Sequence, residues 1–159
     1  MRMASVTQAQ LESCEGQHIS KFCGNDFTKD SEEHCAHFVA HLLEYGFGAT
    51  CKMMGNGKGA AANLRVQEIY MRCPQVGAWP PPTPMTWGLV FIGNAGNIKV
   101  SPKLMVAVPR LHMGFFFGGD RTIWHYSNKF HKVITETPEE FSHHFQAPED
   151  NAMFWGSAL

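Results

Sequence analysis

The sequence predicts an α+β fold in which N-terminal helices pack on a C-terminal antiparallel β-sheet. Two observations lead to this class. Apolar residues in the first half recur at helical spacing, most clearly in EEHCAHFVAHLLEYGFG at residues 32–48. The second half consists of short β-like runs bounded by Gly, Asn and Pro. Helices followed by a run of neighbouring strands are typical of α+β domains.

Length and charge set the broad class of the protein. The chain has 159 residues, and we predict a single domain over residues 1–159. The net charge of -1 argues against nucleic-acid binding, which would require a basic surplus. No apolar run approaches the ~20 residues that cross a bilayer, so no membrane span is expected. The polar N-terminal stretch shows no secretory signal, which predicts a cytoplasmic protein or delivery without a signal peptide.

The predicted helices are marked by caps and breakers. Asp30, followed three residues later by Glu33, predicts a capping box at the start of the main helix, and Gly46 predicts its end. Residues 53–62 are rich in Gly and Ala and predict a loop, which leads into a weaker second helix over residues 63–72.

The predicted strands occupy residues 87–92, 104–108, 112–117, 122–127 and 132–135. The proline-rich segment at residues 77–84 is expected to be irregular, because proline lacks the backbone donor that helices and sheets need. One more short helix is predicted to begin at Pro138, since proline favours the first turn of a helix.

One cysteine stands apart from the others by its position. An odd number of cysteines without a C-x-x-C pair predicts at least one free thiol, and most of the cysteines are expected to be small buried hydrophobes. The five are Cys14, Cys23, Cys35, Cys51 and Cys73. Cys35 lies in the first turn of the main predicted helix, where backbone N–H groups and the helix dipole favour an anion. A thiolate is stabilised there, so Cys35 is the candidate nucleophile, with simple packing as the alternative.

Two histidines in LHMGFFFGGDRTIWHYSN, residues 111–128, are the candidate partners of this thiol. A loop of two or four residues centred on Gly119-Asp120 would pair Gly114 with His125 in a β-hairpin. His112 and His125 would then project from one face as diagonal neighbours, roughly 7–8 Å apart at the backbone. One imidazole would act as base and the other would orient it, with the helix of the nucleophile packed over that face.

These motifs resemble the NlpC-type cell-wall peptidases and the broader CHAP amidase group. Those families have a Cys opening an apolar helix, a strand that begins with His, and a third polar residue on the next strand. The resemblance covers about residues 32–128 and implies a papain-like fold. It also implies that Cys35 is the nucleophile, that His112 is the general base and acid, and that His125 orients His112.

The resemblance further implies a hydrolase that acts on an amide substrate without a cofactor. The expected substrate is a peptidoglycan stem peptide, cut at a bond near D-glutamate and diaminopimelate. A Cys/His pair generates its own nucleophile, so catalysis is expected to need no metal. The oligomeric state is not indicated by the sequence.

The sequence departs from the family at two places. His34 precedes the nucleophile where Asp is common, and the family's upstream tyrosine is missing, since the first tyrosine is Tyr45. Asn25 is the candidate oxyanion donor in place of that tyrosine, with Gln17 as the second choice. His34 and Trp124 are further candidates for contacts with the oxyanion or the substrate.

A different function follows if the helix histidines bind a metal. His34, His37 and His41 fall on one predicted helical stripe, and Cys14 or Cys23 would complete a set of zinc ligands. The chain would then be a metal-binding or non-catalytic module on the same fold. A thiol acyltransferase or deamidase is the remaining alternative.

Overall fold

The computed structural model of the protein describes residues 5–145 and 148–159. In this part of the chain it contains five α-helices and eight strands, which confirms the predicted mixture of helices and antiparallel sheet. The helices are α1 Gln8–Cys14, α2 Cys35–Leu43, α3 Cys51–Met54, α4 Val66–Arg72 and α5 Pro138–Ser142. The strands are β1 Val76–Ala78, β2 Trp87–Asn94, β3 Ile98–Lys99, β4 Leu104–Met105, β5 Leu111–Phe117, β6 Thr122–Ser127, β7 Lys132–Glu136 and β8 Asn151–Gly156.

The described chain forms two compact units. Unit 1 comprises residues 5–65 and 124–134 and contains α1, α2 and α3. Unit 2 comprises residues 66–123, 135–145 and 148–159 and contains α4, α5, β1–β5 and β8. Strands β6 and β7 contribute residues to both units. The single domain over residues 1–159 stays a prediction.

Helix α2 is the most buried helix of unit 1, and its predicted boundaries were wrong. It begins at Cys35, with His34 as N-cap and no side-chain cap hydrogen bond. The predicted cap, Asp30, instead accepts a hydrogen bond of 2.7 Å from the ring of His18. The helix ends at Glu44 in the left-handed region (φ 59°), before Gly46 is reached.

The two chain segments of unit 1 are joined by hydrogen bonds. The backbone N–H of Ile19 donates to the Tyr126 hydroxyl at 3.2 Å. The backbone N–H of His34 donates to Asn128 Oδ1 at 2.9 Å. Residues 124–134 are therefore fixed against the residue that precedes α2.

Unit 2 contains an antiparallel run of strands in the order β1–β8–β2–β5. Val90 is paired with Gly114 on one side and with Trp155 on the other. A buried apolar cluster lies in this unit and consists of Val90, Ile92, Phe116, Ile123 and Phe141. Its Phe141 belongs to α5, which begins with Pro138 as predicted and has a Thr137–Glu140 capping box.

Several other predictions for unit 2 needed correction. Strand β1 occupies part of the segment expected to be irregular, and its Gly77 lies against Trp155 so closely that a Cβ would be 2.5 Å from the indole. The predicted strand at 104–108 shortens to Leu104–Met105, which pairs with β3.

The loop between β5 and β6 has four residues, an even number as predicted, and Gly118 and Gly119 both adopt positive φ. Among the described helices, none is long and apolar enough to span a membrane.

Because the thiol of Cys73 in unit 2 is buried, we expect the protein to lose stability at alkaline pH. Burial raises the pKa of its thiol from 9.0 to about 12, and the thiol donates a hydrogen bond to the Ile69 carbonyl. The unfolded chain therefore loses this proton at lower pH than the folded chain. The free energy of unfolding therefore keeps its full value below about pH 9 and decreases as the pH rises towards about 12. The decrease is up to ~4 kcal/mol, at ~1.4 kcal/mol per pKa unit.

We expect Cys73→Ala to flatten this alkaline decrease in the free energy of unfolding, measured with urea at about pH 7 and about pH 11. The value at neutral pH gives the packing cost of the substitution, so the difference between the two pH values isolates ionisation. An equal decrease in wild type and variant would contradict this role of Cys73.

Candidate functional site

Cys35 is the first residue of α2, and its side chain is buried, with 3% of its surface exposed. Cys35 was expected near the start of this helix, and it lies there, although the N-cap is His34 and not the predicted Asp30. The His34 side chain makes no cap hydrogen bond, and the His34 N–H is bonded to Asn128. The start of α2 is therefore connected to the segment that follows β6.

The other predicted catalytic residues are buried on strands. His125 and Trp124 lie on β6 and belong to unit 1. His112 lies on β5 in unit 2, where its ring stacks on His144 with centroids 3.8 Å apart and an interplanar angle of 9°. It also packs against Phe141, at 5.6 Å between centroids. The arrangement of Cys35, His112 and His125 as a catalytic triad stays a prediction.

A second group of reactive side chains lies inside unit 1. Its ligand-type atoms all lie within 4.8 Å of one another, and we name it the Cys/His cluster: Cys23, His37, His41 and Cys51. His37 Nε2 and His41 Nε2 are 3.1 Å apart, and His41 Nε2 is 3.7 Å from Cys51 Sγ. Cys23 follows a 3₁₀ turn at Ile19–Lys21, the histidines lie one turn apart on α2, and Cys51 begins α3.

A chain of hydrogen bonds determines which nitrogen of His37 carries hydrogen. The Lys29 carbonyl can only accept, so His34 Nε2, at 2.8 Å, must donate to it. His34 Nδ1 is then an acceptor in the neutral ring, and the His37 Nδ1–H donates to it at 3.0 Å. A neutral His37 therefore has a bare Nε2 lone pair, and this atom faces the Cys/His cluster.

Burial keeps the rings of the three hydrogen-bonded histidines, His34, His37 and His41, neutral. It lowers the pKa of His37 from 6.5 to about 3, with further lowering by the neighbouring His41 and His34 rings. Burial also lowers the pKa of His34 and of His41. The same burial raises the pKa of the Cys23 thiol to about 11, which a hydrogen bond with Asn25 partly opposes and the nearby Cys51 thiol reinforces.

Asn25, the predicted oxyanion donor, lies beside the two cluster cysteines. Its backbone N–H donates to Cys23 Sγ at 3.4 Å, and its Nδ2 donates to Cys51 Sγ at 3.2 Å. The same Nδ2 also contacts the Ala60 carbonyl at 2.9 Å, while Oδ1 accepts from the Gly59 N–H at 3.1 Å. Both ends of the Asn25 amide therefore have partners in this network. For Gln17, the second choice, the structure gives backbone hydrogen bonds, to Cys14 and Val133.

The sequence-based metal set was partly different from the cluster. Cys23, His37 and His41 come together as that alternative required. His34 contacts only the Nδ1 side of His37 and is not a member of the cluster, and neither is Cys14. Cys51 was missed because nine residues separate it from His41 and no short Cys/His knuckle marks it. It is the first residue of α3, directly after the Thr50 cap, and it is buried.

A surface cavity of about 430 Å³ lies in unit 2, between the proline-rich segment and the loop after β5. None of the predicted catalytic residues lines it; its walls are Pro80, Pro81, Pro82, Thr83, Thr86, Gly118, Gly119, Asp120 and Arg121.

No protein-family model matches the chain, and comparisons with curated proteins and with solved structures give no match either. The chemistry and surroundings of the residues themselves must therefore support any assignment of function.

Proposed function

We propose that the protein is a thiol-dependent amide hydrolase with Cys35 as its nucleophile. The observation that carries this proposal is the place of Cys35 as the first residue of a nine-residue apolar helix, with no cap side chain from His34. The positive end of the helix dipole favours the thiolate over the thiol at this position. A cysteine in the middle of the same helix would gain no such stabilisation.

The hydrogen bond between His34 and Asn128 gives further support within unit 1. It connects the start of α2 to the chain just after β6, the strand that carries His125. A hydrogen bond at the neighbouring residue restricts the geometry of a reactive side chain, which a nucleophile needs for directed attack. This contact supports the pairing of Cys35 and His125 in one site.

In the proposed reaction the Cys35 sulfur attacks the carbonyl carbon of the substrate amide. His112 acts as general base for the thiol proton and returns a proton to the leaving amine, so that a thioester remains. Water then hydrolyses the thioester, releasing the carboxylic acid and the free thiol. The Cys35 N–H stabilises the oxyanion, and His125 orients His112.

The proposed substrate class is the stem peptide of peptidoglycan, with a bond near D-glutamate and diaminopimelate as the expected point of cleavage. This part of the proposal depends on the resemblance of the Cys and His motifs to the NlpC-type and CHAP-like papain-fold peptidases. The papain-like fold is proposed on the same basis.

Digestion of purified peptidoglycan tests the proposal directly. We expect wild-type protein to release peptide fragments, identified by mass spectrometry, and Cys35→Ala to release none, because its side chain has no nucleophile. Cys14→Ala is the matched control, since Cys14 is also a buried thiol of unit 1 and should be dispensable.

The products also separate the alternative reactions. A thiol acyltransferase would join the acyl group to an added amine, and a deamidase would convert a side-chain amide to an acid without cleaving the peptide. Equal fragment release by Cys35→Ala and wild type would exclude Cys35 as the nucleophile. Intact peptidoglycan after incubation with wild type would contradict the proposed substrate class.

A further inference from the structure

We propose that the Cys/His cluster binds one zinc ion, which holds together three segments of unit 1. The proposal is independent of the hydrolase function, because it concerns side chains other than Cys35, His112 and His125. Two cysteines and two histidines form one of the common ligand sets of structural zinc.

The distances in the cluster match tetrahedral coordination after small side-chain adjustments. Zinc bonds of 2.3 Å to sulfur and 2.0–2.1 Å to nitrogen place the ligand atoms of a tetrahedron about 3.3–3.8 Å apart. The two histidine Nε2 atoms are 3.1 Å apart, and His41 Nε2 lies 3.7 Å from Cys51 Sγ. All four ligand atoms lie within 4.8 Å of one another, so shifts of about 1.5 Å or less would bring them to these separations.

The tautomer of His37 prepares this residue for a metal. Ligating histidines usually donate their second ring N–H to a fixed acceptor, which orients the ring and makes the ligating nitrogen more basic. His37 Nδ1 has such an acceptor in His34, which the Lys29 carbonyl fixes in turn. The Nε2 of His37 carries no hydrogen and accepts from His41 Nε2 at 3.1 Å. A metal between the two rings would replace the hydrogen on His41 Nε2, which moves that hydrogen to Nδ1, and would be bound by both rings.

Both sulfur atoms of the cluster accept hydrogen bonds that favour the thiolate form. Asn25 directs its backbone N–H at Cys23 and its side-chain amide at Cys51. Hydrogen bonds of this kind stabilise a metal-bound thiolate and are typical of the residues that surround a zinc site. One residue thus supports both sulfur ligands.

Zinc is the metal that this ligand set favours. Mixed thiolate and imidazole ligands are poor partners for magnesium or calcium, which prefer oxygen. Four protein ligands would complete the coordination shell, and closed shells of this kind are typical of structural rather than catalytic zinc. His37 and Cys51 have no measurable exposed surface, and Cys23 exposes 7%, which also suits a structural site.

Metal content tests the proposal on the intact protein. We expect one zinc per chain in wild type by inductively coupled plasma mass spectrometry, and at least a tenfold lower occupancy in Cys51→Ser after dialysis against a weak chelator. Cys14→Ser is the control, because it removes a buried thiol of the same unit outside the cluster and should retain zinc.

Cobalt substitution gives a readout that does not depend on the folding of a variant. Wild-type protein reloaded with Co²⁺ should show the absorption of a tetrahedral site and sulfur-to-metal charge transfer, both removed by one equivalent of zinc. Absence of zinc together with absence of these bands would overturn the proposal. A Cys23–Cys51 disulfide in the freshly purified protein, or copper as the bound metal, would overturn it as well.

Discussion

Substitution of His112 by alanine is expected to abolish amide hydrolysis, with a loss of roughly 10⁴-fold or more in kcat/KM. Without this imidazole no base takes the proton of the Cys35 thiol and no acid protonates the leaving amine. His125→Ala should cost less, because it removes only an orienting contact, although a wrong tautomer of the base can still cost ~10⁴-fold.

The exposed His143 at the C-terminal end of α5 provides the matched control for both substitutions, since His143→Ala removes an imidazole of the same unit as His112. Initial rates on peptidoglycan fragments, with thermal unfolding of each variant, separate lost chemistry from lost folding. Partial recovery of His112→Ala activity by added imidazole would be specific to a proton-transfer role. Wild-type rates for His112→Ala would remove it from the mechanism.

The parts of the fold that the sequence predicted well are those with long apolar signals. Strands β2, β5 and β6 are almost entirely buried, and each carries several apolar and aromatic residues. Helix α1 escaped prediction because it has seven residues and buries only Leu11 and Cys14, too few for a visible period. Strand β8 lies at residues 151–156 and buries only Phe154 and Gly156, so its sequence shows no clear alternation.

The start of α2 shows how a tertiary contact overrides a local signal. Asp30 and Glu33 have the spacing of a capping box, which lowers the free energy of a helix only if the cap carboxylate is available. In the folded protein the ring of His18, twelve residues away in sequence, donates a hydrogen bond to the Asp30 carboxylate. A single sequence contains no information about that partner, so the predicted boundary was several residues too early.

Of the two candidate sites, one could be predicted from local sequence and the other depends on tertiary contacts. The location of Cys35 near the start of the main helix could be predicted, because it depends on local apolar periodicity, whereas its place as the first residue could not. The Cys/His cluster depends on the approach of residues 57–59 to residues 24–25, which lets Asn25 reach Cys51. That approach requires glycine, since a Cβ on Gly57 would lie 2.5 Å from Asn25 Cα and one on Gly59 would lie 2.8 Å from Gly24 Cα. In the sequence these glycines indicate only a loop.

Removal of zinc is expected to destabilise unit 1 strongly. Structural zinc binding contributes about 10–16 kcal/mol in small zinc-binding peptides, whereas whole domains are stable by only about 5–15 kcal/mol. A site that joins the chain after the 3₁₀ turn, α2 and α3 should therefore account for much of the stability of this unit. We expect a strong chelator to lower the thermal unfolding midpoint by more than ~10 °C.

The dependence on free zinc distinguishes this effect from general damage by the chelator. Each tenfold increase in free zinc above the dissociation constant should add ~1.4 kcal/mol to the free energy of unfolding of wild type and Cys14→Ser. Cys51→Ser should show a much smaller slope, because a cluster ligand is missing. Identical midpoints for wild type with and without chelator would exclude a stabilising metal.

Zinc removal also bears on catalysis, since α2 carries Cys35 at its first residue and two cluster histidines in its next turns. If the metal only holds this helix in place, the chemical step does not use it, and protein reloaded with Co²⁺ or Cd²⁺ should hydrolyse amides within a few-fold of the zinc form. A rate that changes by orders of magnitude with the identity of the metal would mean that the metal takes part in the reaction. Full activity after complete removal of the metal would show instead that α2 keeps its position without it.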